Sequence, residues 1–102
     1  MEIQIQCSNH TLTIYLCGEL DESVAEFARN KLDDAVSQPG INCVVFDLCE
    51  LSFMDSTGIG VLIGRYKRLK NRNVSIYVKN PTPTVDKIFK MSGLYEIMPR
   101  VK

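Results

Sequence analysis

Residues 43–48 read Cys43-Val44-Val45-Phe46-Asp47-Leu48, a short and almost unbroken apolar run. A run of this kind suits a strand covered on both faces, as in the interior of a parallel sheet. The flanks agree. Upstream, Val24, Phe27, Ala28, Leu32, Ala35 and Val36 recur at helical spacing, with Lys31 the one break in the stripe, its stem able to lie along a core edge. Asp21 stands where a helix cap belongs, and Pro39-Gly40 ends the helix. Downstream, a second helix follows Ser56, with Ile59, Leu62, Ile63, Tyr66 and Leu69 as its buried stripe. Gly60 and Gly64 lie on one side of it and would admit a close neighbour. Arg65, Lys67, Arg68, Lys70 and Arg72 gather towards its end, where the helix dipole is negative.

At the N-terminus Ile3, Ile5 and Cys7 alternate with polar residues, and Leu12, Ile14 and Leu16 do so again beyond Ser8-Asn9-His10. Two alternating runs around a polar turn make an antiparallel hairpin. Val74–Val78 is a further strand, Thr82-Pro83 opens a third helix with Val85, Ile88 and Phe89 on its apolar side, and Gly93 closes it. Leu94–Met98 adds a short edge strand. The order β-β-α-β-α-β-α predicts an α/β fold: a mixed sheet of four or five strands, an antiparallel edge hairpin and packed helices, with right-handed crossovers.

A chain of 102 residues, 45% hydrophobic and 24% charged, suits one domain spanning residues 1–102. It contains no apolar run long enough for a membrane span and no signal-peptide pattern near Met1, so the expected location is cytoplasmic. Twelve basic and twelve acidic side chains cancel, which gives no bulk attraction to nucleic acid or membrane. The cancellation hides an asymmetry. Residues 1–55 carry ten acids against Arg29 and Lys31, a net of −8, and residues 56–102 carry ten bases against Asp86 and Glu96, a net of +8. Either the halves attract each other within the fold, or the surface has an acidic and a basic side. The cysteines at 7, 17, 43 and 49 form no Cys-x-x-Cys, and His10 is the only histidine, so neither a metal site nor a disulfide framework is expected. Cys7, Cys17 and Cys43 read as small hydrophobes in or beside strands.

Ligands in such sheets sit at the carboxyl ends of the parallel strands. Two loops qualify, Gly18-Glu19-Leu20-Asp21 and Cys49 to Gly58, and neighbouring strands would bring Asp21 and Ser56 to one patch. The second loop holds Phe53-Met54-Asp55-Ser56-Thr57-Gly58-Ile59-Gly60. One reading is a cap and staple, in which Ser56 or Thr57 accepts a first-turn N–H and Phe53 or Met54 packs back on the helix. Enzyme readings lack parts. Position 54 is Met where a nucleophile elbow needs Gly, His10 belongs to a distant turn, and there is no P-loop; a small α/β enzyme would have to use Cys49 or Asp55. No catalytic residue and no cofactor is assigned. A phosphate on Ser56, by contrast, would meet the free N–H groups and positive dipole of a helix start without melting the fold.

The stretch from Phe53 through Gly64-Arg65-Tyr66-Lys67, together with Gly18-Glu19-Leu20-Asp21, resembles the STAS-domain anti-sigma factor antagonists, in particular the sporulation members of that family. The element order agrees over essentially the whole chain. The resemblance implies a STAS-type fold and a regulatory protein without catalysis of its own. It implies that the unphosphorylated form binds an anti-sigma factor that is also a serine kinase, which frees a sigma factor. It implies Ser56 as phosphoacceptor, a PP2C-type phosphatase as the restoring partner, and Asp21, Asp55, Ser56, Thr57, Gly58, Ile59 and Gly60 as the partner-binding surface. The alternative within the family is an interaction module for a different stress or signalling regulator.

Overall fold

In the computed structural model, which describes residues 1–102, the alternating N-terminal segments form β1 (Glu2–Ser8) and β2 (Thr11–Leu20), antiparallel, with Ile3 opposite Leu16 and Ser8 opposite Thr11. Asn9 and His10 turn the chain at φ 52° and 66°. Two successive left-handed residues make the tight hairpin turn whose twist matches that of the strands. A 3-10 turn at Glu22–Val24 leads into α1 (Ala25–Val36), then β3 (Cys43–Asp47), β4 (Leu51–Met54), α2 (Ser56–Asn71), β5 (Ser75–Lys79), α3 (Pro83–Ser92), a second 3-10 turn at Leu94–Glu96, and β6 (Arg100–Val101). The sheet order is β1-β2-β3-β5-β6, all pairs beyond the hairpin being parallel, and β4 pairs with β2.

Register aligns the core in rows. Leu12, Val44 and Ile76 lie side by side, as do Ile14, Phe46 and Val78, and each is buried. Ala28 and Leu32 of α1, Val61, Leu62 and Leu69 of α2, and Val85 and Phe89 of α3 join those rows in a single apolar cluster. A fully buried Phe46 is worth about 3–5 kcal/mol against Ala in a core of this kind. The opposite face carries Thr13, Tyr15, Val45 and Tyr77, all half-buried. The apolar run of β3 is thus covered by helices on one face only, a correction to the expectation of cover on both.

Other expectations are corrected as well. Leu94–Met98 is not a strand: beyond Gly93, at φ 77°, Ile97 and Met98 both donate to the Leu94 carbonyl, so the chain coils and the edge strand comes later, as β6. Phe27 is 50% exposed and Lys31 faces solvent, while Ala25 takes the buried place. On α2 the buried stripe runs through Gly58, Val61, Leu62, Arg65 and Leu69; Ile59, Ile63 and Tyr66 flank it half-buried. A β-carbon on Gly60 or Gly64 would meet nothing within 4 Å, so neither provides a close helix contact. None of the four cysteines is buried: Cys17 and Cys43 lie on the thinly covered face, and Cys7 and Cys49 are exposed.

Arg65 also leaves its expected place. It is buried between α1 and α2, its Nε 3.1 Å from Asp33, and burial lowers its pKa against the pull of that carboxylate. Asp33 binds Arg68 too, at 3.3 Å. It is the only acid of the first half paired with bases of the second; Asp86 takes Lys90 and Arg100 from its own half. Contact between the halves therefore neutralises little, and most acids stay on the surface. No helix is long and apolar enough to cross a membrane.

Candidate functional site

The strand β2 does not stop at Gly18. Gly18 adopts φ 109°, the register shifts between it and Glu19, and β2 re-pairs with β4, Gly18 opposite Leu51 and Leu20 opposite Met54. What read as one long loop after β3 is thus a single turn at Leu48–Leu51 followed by a strand, and the Gly18–Leu20 segment is strand as well. Pairing Leu20 with Met54 delivers the next residues, Asp21 and Asp55, to the same edge of the sheet.

Asp55, not Ser56 or Thr57, caps α2. Its Oδ1 accepts the Gly58 N–H at 2.8 Å, and its Oδ2 accepts the Glu22 N–H at 3.0 Å, so one carboxylate ties the helix start to the turn after β2. Its own N–H donates to the Leu20 carbonyl at 3.3 Å. The Gly58 N–H, followed by those of Glu22 and Thr57, holds the Asp55 carboxyl below its usual pKa against a smaller opposing effect of burial. Asp21 is engaged in the same way, its Oδ1 accepting from the Ser23 N–H at 3.0 Å and from the Ser23 hydroxyl at 2.6 Å. With both oxygens of Asp55 holding backbone N–H groups, that carboxylate is committed to positioning.

Relieved of the cap, Ser56 occupies the first position of α2 and is exposed. Thr57 and Ile59 are half-buried, Gly58 is buried against Leu20, and Gly60 faces solvent. Ser56 opens onto a groove of about 310 Å³ between the start of α2 and one side of α3, walled by Phe53, Ile59, Ile88 and Met91. Met54 packs back into the core as a staple would, but Phe53 is 43% exposed and Met91 78%. No Lys or Arg lines the groove. Its α3 wall was not anticipated from sequence; the only signal was the spacing of Ile88 and Met91, one turn apart. A larger hollow of about 430 Å³ lies at the far end of α2, between Tyr66, Lys70, Tyr77 and Ile97, away from these residues.

The model of the STAS domain family matches residues 2–102. The anti-sigma F factor antagonist of Paenibacillus polymyxa is 37% identical over 97% of this chain and 86% of its own length. Among solved structures, the anti-sigma factor antagonist SpoIIAA in its unphosphorylated form superimposes with a TM-score of 0.82 at 34% identity, over 99% of this chain and 89% of that one. SpoIIAA in its phosphorylated form, described as a Bacillus cell fate determinant, gives 0.74 at 33% identity, over 99% and 92%.

Proposed function

The chain belongs to the STAS-domain family of anti-sigma factor antagonists, and on that premise we propose that it is a one-domain binding module, residues 1–102, switched by phosphate on Ser56. Unphosphorylated, it holds an anti-sigma factor that is also a serine kinase, and so frees a sigma factor for sporulation transcription in the cytoplasm. The kinase transfers a phosphoryl group from ATP to Ser56 and lets go; a PP2C-type phosphatase restores the hydroxyl. Asp21, Asp55, Thr57, Gly58, Ile59 and Gly60 surround Ser56 in the docking surface.

The observation that carries this reading is the exposed Ser56 hydroxyl, free of capping duty, beside an apolar groove without a basic side chain. A phosphoserine brings about −1.5 to −2 charges. The helix N-terminus accepts that charge in the free protein. A bound partner would bury it next to Asp55, with no cation from this chain to match it, at a cost of several kcal/mol, each ~1.4 kcal/mol being tenfold in affinity.

The test is to incubate the protein with ATP alone, and then with ATP and the anti-sigma kinase of the same organism. Phosphate on the Ser56 peptide only in the second mixture, with binding lost afterwards, supports the switch. Phosphate at another residue, or equal binding of both forms, overturns it. Turnover of ATP by the protein alone would point instead to an enzyme.

A further inference from the structure

Two fixed points bracket a pair of cysteines. Tyr15 of β2 lies opposite Asp47 of β3, and three residues later the Gly18 N–H donates to the Glu50 carbonyl at 2.9 Å. Between these points run Leu16-Cys17 on one strand and Leu48-Cys49 on its neighbour. Leu16 and Leu48 are both fully buried in the core. Cys17 follows on the opposite, thinly covered face, and Cys49 is exposed in the turn closed by the Leu51 N–H on the Leu48 carbonyl at 3.1 Å. Neighbouring strands lie ~4.8 Å apart, inside the Cα separation of roughly 4.4–6.8 Å that a disulfide spans.

Asp47, the last residue of β3, neighbours both cysteines. It is buried, its Oδ1 accepts the Cys49 N–H at 3.1 Å, and its Oδ2 accepts the Asn80 side-chain amide at 3.3 Å. Cys43, by contrast, lies opposite Thr11, six residues and about 20 Å back along β2 from Cys17.

We propose that Cys17 and Cys49 are a reversible dithiol–disulfide pair, closed by a peroxide, at the foot of the strands that carry Asp21 and Ser56. The Cys49 thiolate attacks one peroxide oxygen, the O–O bond breaks, and a sulfenic acid and hydroxide form. The Cys17 sulfur then displaces the hydroxyl from Cys49, the S–S bond forms, and the thiol protons leave in water. Two thiols and one hydrogen peroxide become one disulfide and two waters. The bridge fastens the turn at Leu48–Leu51 to the bulge at Gly18, the irregularity that sets Leu20 opposite Met54.

Glu2 from β1, Asp47 from β3 and Glu50 from the turn all face this pair. For Cys17 burial raises the thiol pKa most, with Glu2, Glu50 and Asp47 adding to it; for Cys49 the neighbouring Asp47 carboxylate raises it most, followed by burial. The thiolate is the reactive form, so closure quickens as pH rises.

The experiment treats the dilute native protein with hydrogen peroxide at mildly alkaline pH, alkylates the remaining thiols, and reads intact mass and peptide map. The expected result is a loss of two hydrogens, a linked Cys17–Cys49 peptide, alkylated Cys7 and Cys43, and reversal by dithiothreitol. Cys17→Ser and Cys49→Ser each abolish the linkage, and the double variant Cys7→Ser/Cys43→Ser keeps it. Recovery of Cys17 and Cys49 both alkylated, oxygen added to Cys49 without a link, or a bridge between two chains would overturn the proposal.

Discussion

The buried Gly58 packs directly on Leu20: a β-carbon at residue 58 would stand 3.0 Å from Leu20 Cγ and overlap the Leu20 carbonyl oxygen. That contact seats the first turn of α2 on the end of β2 and places Ser56 beside the Asp21 turn.

Gly58→Ala therefore forces the helix off the strand, since the obstacle is backbone and cannot swing away. Overpacking of this sort costs about 1–3 kcal/mol. Gly60→Ala, two residues on, enters open space and exchanges the freest backbone for the best helix former, a gain of about 0.5–1 kcal/mol. In denaturant unfolding the midpoint should fall for Gly58→Ala and rise for Gly60→Ala; a shift in the same direction for both would show that the Leu20 contact does not decide the outcome.

Asp55 and Ser56 are adjacent but should behave as different kinds of residue. Asp55→Ala removes the acceptor for both the Gly58 and Glu22 N–H groups, so it lowers the melting temperature and loosens the Asp21 turn. Ser56→Ala and Ser56→Asp leave the melting temperature close to wild type, because the hydroxyl takes no part in the cap. Ser56→Asp nonetheless weakens partner binding. A large loss of stability in either Ser56 variant would make that residue structural.

Phe53 and Met91 wall the groove while contributing little to the core, with 43% and 78% of their surfaces exposed. Phe53→Ser and Met91→Ser should leave unfolding midpoints within experimental scatter. Each should weaken binding of the anti-sigma factor about tenfold or more, read by calorimetry, if these side chains anchor the contact. Unchanged affinity in both would remove the groove from the interface.

The alkaline limit of stability involves Tyr95, whose hydroxyl donates to Asp86. Burial first, and then this carboxylate, push the Tyr95 pKa from 10.0 up to about 12. The folded chain thus keeps a proton that the unfolded chain releases. The associated stability is complete below pH 10 and is lost as pH rises to about 12. The difference in unfolding midpoint between wild type and Tyr95→Phe, followed across that range, should shrink or reverse with pH. A constant difference would show that Tyr95 is not the group responsible. Thiols with raised pKa slope the same way in both proteins, so the comparison cancels them.

The sheet and helices were legible where one signal dominated. β3 and β5 are short apolar runs between helical stripes, and α3 carries its Thr82 cap, Pro83 and terminal Gly93 openly. β4 was hidden because Leu51-Ser52-Phe53-Met54 has only four residues, and its ends rather than alternate positions are buried. The identity of the cap turned on a single residue: Asp55 and Ser56 are both good caps, and only the extended backbone at Asp55 decides between them. Arg65 read as a dipole partner because periodicity does not reveal a buried ion pair with Asp33 on another helix. The α3 wall of the groove is a tertiary fact. Ser56 stood out in the sequence because the residues around it carry the family's pattern.

β4 pairs with β2 alone, and its other flank is roofed by α3, whose first residues are tethered by the Thr82 hydroxyl on the Leu51 carbonyl at 3.0 Å. The same helix walls the groove. A ligand pressed into that hollow leans on the lid of an otherwise open sheet margin, so occupancy should slow amide exchange across Leu51–Met54, well outside its own footprint.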